Sequence, residues 1–468
     1  MTYSGQRVVI LGFARQGMAL ARFMAKQGAQ VVVSDAQPKE KLAARQAALA
    51  DLTIQYVLGG HPLSLLDGCD LLCLSGGVDA NLPLVTEARR RGIPISNDAQ
   101  IFLEHCPATN TVGITGSAGK TTTTTLVHRM LSLTPRPHLP PSGSLPQGEG
   151  GRIWLGGNIG NPLIADVWNI QLEDTVVMEL SSFQLEIMTK STRVAAILNI
   201  TPNHLDRHGT MEAYIAAKYN LLRYQPQDGV TVLGWDNAVT RSLNAPAART
   251  VFFSGEVEFE TGEAAFLRDE ALMWRWEGAE HEICRVSEIA LRGRHNILNV
   301  LAACAISGSA GATIEMMRAG LQGFTGVEHR LELVREQAGV RWYNDSIATA
   351  PERVIAALHA FDEPLVLLLG GRDKKLPWEP LAELVKTRVK HTICFGEAGP
   401  MIDEVLAMAG VSAAHRTLVG PLHAAVNVAA RQTVAGDVVL LSPGCTGFDE
   451  FQDFAERGAK FKEWVKAL

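Results

Sequence analysis

The chain has 468 residues, too many for one core and enough for about three domains at the usual size of roughly 150 residues. Hydrophobic residues make up 47% and charged residues 20%, and 43 Lys and Arg against 49 Asp and Glu leave a net charge of -6. That balance excludes a disordered or collagen-like chain and argues against nucleic acid as main partner, because such partners favour a basic face.

In chain order, an apolar run from Val8 to Leu11 ends at Gly12, a helical pattern follows, and a second run from Val31 to Val33 ends in Ser34 and Asp35. With further runs at Leu71–Leu74 and Ile93–Ile95, residues 1–108 read as a parallel, Rossmann-like α/β domain. Residues 109–327 read as a central P-loop ATPase-like domain, with strands at Thr111–Ile114, Thr175–Met178 and Val194–Leu198. Inside it, 134–150 holds five prolines and little to bury, so an exposed or disordered loop is expected there, and 251–285 offers short strands without a clear topology. Residues 328–468 return to alternation: helix Pro351–Ala360, strand Leu365–Leu369, helix Glu379–Lys386, strand Thr392–Phe395, strand Val438–Leu441 and helix Asp449–Lys466. The fold class is therefore α/β, with a C-terminal Rossmann-like domain as the third unit.

No apolar run reaches the roughly 18–20 residues that cross a bilayer, and MTYSGQRVVILGF carries no cleavable signal pattern, so no membrane association and a cytoplasmic location are expected. Cys69, Cys73, Cys106, Cys284, Cys304, Cys394 and Cys445 are odd in number and lack CxxC spacing. They are expected to be reduced, buried small hydrophobes.

The strongest chemical signal is GITGSAGKTTTTTLV. A strand runs into Gly113, Gly116 and Gly119, then Lys120, Thr121 and a helix, so backbone amides can wrap a phosphate while Lys120 supplies charge and Thr121 a hydroxyl for Mg²⁺. The spacing is G-x-x-G-x-x-G-K-T rather than the standard loop, and an ordinary glycine-rich turn is the competing reading. Glu179 ends the strand of TVVMELSSFQLE, where it can complete a magnesium shell; without the phosphate loop it reads as a cap or solvated turn residue. His204, Asp206 and His208 crowd a turn before Lys218, a cluster that can bind metal but on its own reads as a polar turn. At the N-terminus, GFARQG with Asp35 after the next strand is a degenerate dinucleotide fingerprint, with Ala14 where a second glycine belongs. Capture of a pyrophosphate by the helix dipole and a purely structural tight turn both remain open.

Together GITGSAGKT, LGGNIG, ELSSFQLE, NITPNHLDRHGTMEAYIAAK, LRGRHNILN, GVEHRLELV, YNDSIAT and LSPGCTGFDEF resemble, in order and over nearly the whole chain, the Mur ligases of peptidoglycan synthesis. The likeness is greatest to their glutamate-adding branch. This resemblance implies ATP-dependent addition of D-glutamate to UDP-N-acetylmuramoyl-L-alanine through an acyl phosphate, by a monomer using two Mg²⁺ ions. It implies ATP binding by Gly116, Ser117, Ala118, Gly119, Lys120, Thr121, Thr122, Asn296, Asn299, Arg330 and Asp345. Thr121 and Glu179 are implied as metal ligands, with His204 at the second metal and a carbamate on Lys218. Lys120, Lys218 and His204 are implied in catalysis. The UDP-sugar falls to Gly12, Phe13, Ala14, Arg15, Gln16, Gly17, Asp35, Asn158, Ser181 and Gln184, and the amino acid to Thr349, Lys374, Phe448 and Phe454.

Three positions depart from the family pattern: Ile347 where lysine is common, Gly447 where serine is common, and Gly76 where proline is usual. The first two imply either a rearranged D-glutamate site or a preference for L-glutamate. Competing readings are a folylpolyglutamate synthase, against which the complete first domain argues, and an NAD-dependent oxidoreductase. The latter leaves the GKTT loop, Glu179 and His204 without purpose, and a third reading, a non-catalytic UDP-sugar sensor, would need no Lys218 carbamate and no phosphate release.

Overall fold

The computed structural model describes residues 3–133, 151–247 and 249–468, and of Asp206 the backbone alone. The proline-rich stretch 134–150 lies outside the described residues, as does the Asp206 side chain. The chain divides into two units, one running to Ile289 and again over His295–Gln322, the other made of Ala290–Arg294 and Gly323–Leu468.

The first unit holds two sheets. One is parallel, ordered β3-β2-β1-β4-β5 and built from β1 (Arg7–Leu11), β2 (Gln30–Asp35), β3 (Ile54–Leu58), β4 (Leu71–Leu74) and β5 (Ile95–Ser96). Its crossovers are α1 (Arg15–Lys26), α2 (Lys39–Ala47) and α3 (Pro83–Arg90), and α4 (Asp98–His105) follows the last strand. Val8 and Ile10 pack into one apolar cluster and Val9 and Leu11 into another, the alternation of a strand buried on both faces. Strand order reverses between β1 and β4, so their carboxyl ends frame a crevice. β5 is shorter than expected: Pro94 has no N–H for the ladder, and only its carbonyl is used, by Leu72.

The second sheet has nine strands, ordered β14-β13-β12-β11-β10-β9-β6-β8-β7. They are β6 (Asn110–Thr115), β7 (Ile153–Gly157), β8 (Thr175–Glu179), β9 (Val194–Ile197), β10 (Val230–Gly234), β11 (Arg249–Ser254), β12 (Glu263–Arg268), β13 (Ala271–Trp276) and β14 (Ala279–Arg285). The segment that had no clear topology is thus the far edge of this sheet, ending in two antiparallel pairings. Around it lie α5 (Lys120–Ser132), α6 (Ser182–Leu185), α7 (Leu205–His208), α8 (Met211–Arg223), α9 (Ala238–Arg241), α10 (Arg294–Ser309) and α11 (Ile314–Leu321). β6 is buried throughout between β8 and β9, with Ile114 opposite Glu179, which brings Glu179 beside the turn that leaves β6.

The second unit carries β15 (Glu332–Gln337), β16 (Val340–Asn344), β17 (Leu365–Gly370), β18 (Val389–Phe395), β19 (Arg416–Leu418) and β20 (Val438–Gly444), ordered β15-β16-β20-β17-β18-β19. Only β15 is antiparallel to its neighbour. Its helices are α12 (Pro351–Leu358), α13 (Glu379–Arg388), α14 (Gly399–Met408), α15 (Leu422–Gln432) and α16 (Phe454–Ala467). The last helix starts five residues later than its pattern suggests, because Asp453 caps it by accepting from the amides of Ala455 and Glu456. All seven cysteines are free; five are buried, but Cys106 and Cys284 are only half-buried.

Candidate active site

The turn from β6 into α5 is built as a cradle. Gly119 has φ +83°, and a Cβ there would lie 2.2 Å from Asn299 Oδ1, so both conformation and space demand glycine. Asn199 clasps the turn: its side chain accepts from the Ala118 amide at 2.9 Å and donates to the Ala118 carbonyl at 3.2 Å, while its carbonyl accepts from Ser117 N. The Ser117 hydroxyl donates to Thr201 O at 2.9 Å and lies 3.0 Å from the Tyr214 hydroxyl. Lys120, first residue of α5, folds its ammonium back to donate to Gly116 O at 2.8 Å. First-turn helix amides and a lysine ammonium on one glycine-rich turn are the donor types that bind phosphate. Asn299 is buried and bonds Asn296, so these two asparagines stand against the same turn. Thr122 is buried, whereas the half-buried Thr121 hydroxyl makes no hydrogen bond among the described residues.

Behind the cradle sits Lys218 on α8, 1% exposed, donating to Gly116 O at 3.0 Å and Thr115 Oγ1 at 3.2 Å, with its ammonium 4.7 Å from the Tyr214 ring centre. Burial, reinforced by the charge of Lys120 and opposed by Glu179, pushes its pKa down to about 6. Glu179 is 3% exposed. Its Oε1 accepts from Asn158 Nδ2 at 3.0 Å, but its Oε2 has no hydrogen-bond partner among the described residues. A buried carboxylate oxygen left unpaired is costly and asks for a missing partner. Among the described residues no three His, Cys, Asp or Glu side chains come together to hold a metal ion.

His204 adopts φ +53° and is the N-cap of the single-turn α7. Its ring meets Phe183 edge-on at 5.1 Å; His208 stacks flat on the same ring and hydrogen-bonds Ser182 Oγ. The two histidines are thus fixed by an aromatic hub that the sequence reading left unassigned. Ser181 and Gln184 hold each other as the capping box of α6.

At the N-terminal crevice the turn after β1 is closed by Asp35, whose carboxylate accepts from Phe13 N at 2.7 Å and Gln37 N at 2.8 Å. Gly17 lets α1 approach this turn, since a Cβ would lie 1.9 Å from Gly12 O. Ala14 caps α1 without a side-chain bond. Ala14, Arg15, Gln16, Arg45, Gly157 and Asn158 line a cavity of about 390 Å³ beside it. Arg45, overlooked in the sequence, donates to Phe13 O at 3.0 Å; nothing in its spacing marks it.

In the second unit, Asp345 is buried, accepts from Ser442 Oγ at 2.8 Å and Leu331 N at 3.3 Å, and is pushed up to about 7 by burial, with Arg330 and Arg353 pulling the other way. Lys374 donates to Thr349 Oγ1 at 3.0 Å, and burial together with Arg353 and Arg457 lowers its pKa. Phe448 is exposed; Phe454 packs edge-on to His329 at 6.2 Å. A Cβ on Gly447 would sit 2.9 Å from Asp453 O, so the packing of this loop against the α16 cap requires glycine.

Three sequence models of one class fit consecutive parts of the chain: a Mur ligase MurD-like N-terminal domain over residues 6–97, a Mur ligase middle domain over 114–307 and a Mur ligase glutamate ligase domain over 329–445. The chain belongs to the Mur ligase family. It is 41% identical to the UDP-N-acetylmuramoylalanine--D-glutamate ligase of Symbiobacterium thermophilum, with 99% of this chain and 98% of that protein covered. To the ligase of the same name from Acetivibrio thermocellus it is 38% identical, with 99% and 97% covered. Among solved structures, the UDP-N-acetylmuramate-alanine ligase MurC of Thermotoga maritima shares the fold, with TM-score 0.56, 19% identity and 98% and 99% of the two chains covered.

Proposed function

We propose that this chain is an ATP-dependent amide ligase that joins D-glutamate to UDP-N-acetylmuramoyl-L-alanine in peptidoglycan precursor synthesis. The observation that carries this reading is the phosphate cradle backed by the buried Lys218 and Glu179, in a chain that matches ligases of that name along its whole length. Lys120 and the amides of Gly116–Thr122 grip the triphosphate, with Asn296, Asn299, Arg330 and Asp345 assigned to the rest of ATP. The residue types suit a hard cation: the unpaired Glu179 Oε2 and the Thr121 hydroxyl are oxygen donors, and His204 is assigned to a second ion. Bound Mg²⁺ would neutralise charge on the triphosphate.

Burial lowers the Lys218 pKa to about 6 and so favours the free amine, which can add to carbon dioxide, forming an N–C bond and releasing one proton to give a carbamate. An anionic carbamate beside Glu179 is tolerable only with cations between them, which supports the same assignment.

In the first chemical step the L-alanyl carboxylate forms an O–P bond to the γ-phosphorus as the bond to ADP breaks. The deprotonated glutamate amine then forms the C–N bond and phosphate leaves. Lys120 stabilises charge as the phosphoryl group transfers. The crevice at β1 and β4 would hold the UDP moiety, with Arg15 and Arg45 facing its diphosphate, Asp35 and the residues Gly12–Gly17 around the nucleoside, and Asn158, Ser181 and Gln184 toward the muramoyl end. Lys374 and Thr349 offer an ammonium and a hydroxyl to a glutamate carboxylate, flanked by Phe448 and Phe454.

D-glutamate is favoured over the L-glutamate alternative because the full-length relatives at 38–41% identity are named D-glutamate ligases. No helix among the described residues is long and apolar enough to cross a membrane. Phosphate release from ATP with UDP-N-acetylmuramoyl-L-alanine and either enantiomer, run side by side, tests the reading. Turnover with D-glutamate is expected; turnover with neither, in folded protein supplied with Mg²⁺, rejects it.

A further inference from the structure

Arg207 of α7 reaches across to the loop that follows β4. Its Nη2 donates to Val78 O at 3.1 Å, and its guanidinium lies 4.4 Å from the centre of the Phe183 ring. Its Nε is buried, has no hydrogen-bond partner among the described residues, and stands 3.8 Å from Asp79 Oδ1. A charge-assisted bond closes at about 2.9 Å, so Asp79 stops short of pairing with an N–H that has nothing else.

Val78 and Asp79 belong to the loop that leaves β4 at the crevice. That loop lies on the nucleotide turn: Gly76 N donates to Gln16 Oε1 at 2.9 Å, and a Cβ on Gly12 would meet Val78 Cγ2 at 2.9 Å. At the other end, α7 is a single turn, too short to hold itself, and it fixes His204 in a left-handed conformation unfavourable for a residue with a side chain. Contacts made by Arg207 and His208 hold that turn in place.

We infer that Arg207 is a positioning residue that carries the state of the Ser75–Asp79 loop to His204, so that occupation of the nucleotide crevice orders the turn on which His204 stands. This rests on the proposed assignment of the crevice to the UDP moiety. Binding that draws the loop inward would close the Asp79–Arg207 pair and tighten α7; the link is a contiguous set of contacts with one incomplete bond.

Hydrogen exchange tests it without metal or ATP. The amides of Arg207, His208 and Gly209, which donate to His204 O, His204 O and Leu205 O, report the turn directly. Saturating UDP-N-acetylmuramoyl-L-alanine, with occupancy verified by calorimetry, should slow their exchange at least about fivefold in the native protein, the lower range for coupled sites. In Arg207→Met with ligand bound, the slowing should fall below about twofold, and Arg207→Lys, which keeps charge but not the planar fork, should recover only part of it. Equal slowing in Arg207→Met, or none in the native protein with ligand bound, overturns the inference and leaves the ligase reading intact. Failure of the native protein to bind this ligand overturns both. Should Arg207→Met not fold, Asp79→Asn at the half-buried end of the loop decides: undiminished slowing there rejects the role.

Discussion

The molecule's first unit contains two strand–turn–helix junctions of similar outline and different chemistry. At the β1–α1 junction, Asp35 occupies the Phe13 amide, and the α1 end with Arg15 and Arg45 lines the cavity beside it, proposed to hold a diphosphate. At the β6–α5 junction the turn carries Lys120, and directly behind it lie Lys218, whose charge depends on pH near neutrality, and a carboxylate with an unpaired oxygen. Fixed charge on a rigid turn suits holding a substrate; groups whose charge can be changed by a proton, carbon dioxide or a cation suit a step in which charge moves. On the proposed function, one junction binds and the other reacts.

The sharpest way to break this contrast is to remove one cation from each junction. Lys120→Ala should lower kcat by about 10²- to 10³-fold, the cost of losing one charge-stabilising group in acyl or phosphoryl transfer, while calorimetric affinity for the UDP substrate stays unchanged. Arg45→Ala should do the converse, raising KM for the UDP substrate about tenfold with kcat within about twofold, as expected for a contact equally strong in ground and transition states. If Arg45→Ala instead lowers kcat as deeply as Lys120→Ala, the division between binding and reacting junctions is wrong.

Chemistry carried by contiguous residues was legible in the sequence. The glycines, Lys120 and Thr121 announce the cradle because strand, turn and helix must follow one another directly. Glu179 was legible only as a strand-end carboxylate; its place beside the turn comes from register with Ile114, a pairing 65 positions apart. Arg45, Asn199, Phe183 and Arg207 act through contacts that no spacing rule announces. The unplaced strands β12 to β14 were obscured by their turns: Asp269 and Glu270, then Glu277 and Gly278, all have positive φ, as two-residue hairpins require, yet three of the four are residues that seldom take it. At Gly447 the sequence left a rearranged D-glutamate site and a preference for L-glutamate both open, because its crowding against the Asp453 carbonyl is a folding contact and not a motif.

The smallest expected effect isolates the titratable half of the contrast from turnover altogether. Lys218 releases its proton near pH 6 in the fold, against an ordinary value of 10.5. Between those limits the unfolded chain binds more protons than the native protein, so this group makes stability rise with pH there and contributes no slope below or above them. In bicarbonate-free buffer, where the amine stays unmodified, the Tm of the native protein should gain on that of Lys218→Met by about 2–4 °C between pH 6.5 and 7.5, since one proton is worth about 1.4 kcal/mol per pH unit and about 1 kcal/mol moves Tm by about 2–4 °C in domains of 150–250 residues. Arg45→Ala should follow the native profile in parallel, because a guanidinium does not titrate in this range. Parallel curves for the native protein and Lys218→Met would mean that the lysine keeps its proton behind the cradle, and the second junction would then be, like the first, an arrangement of fixed charges.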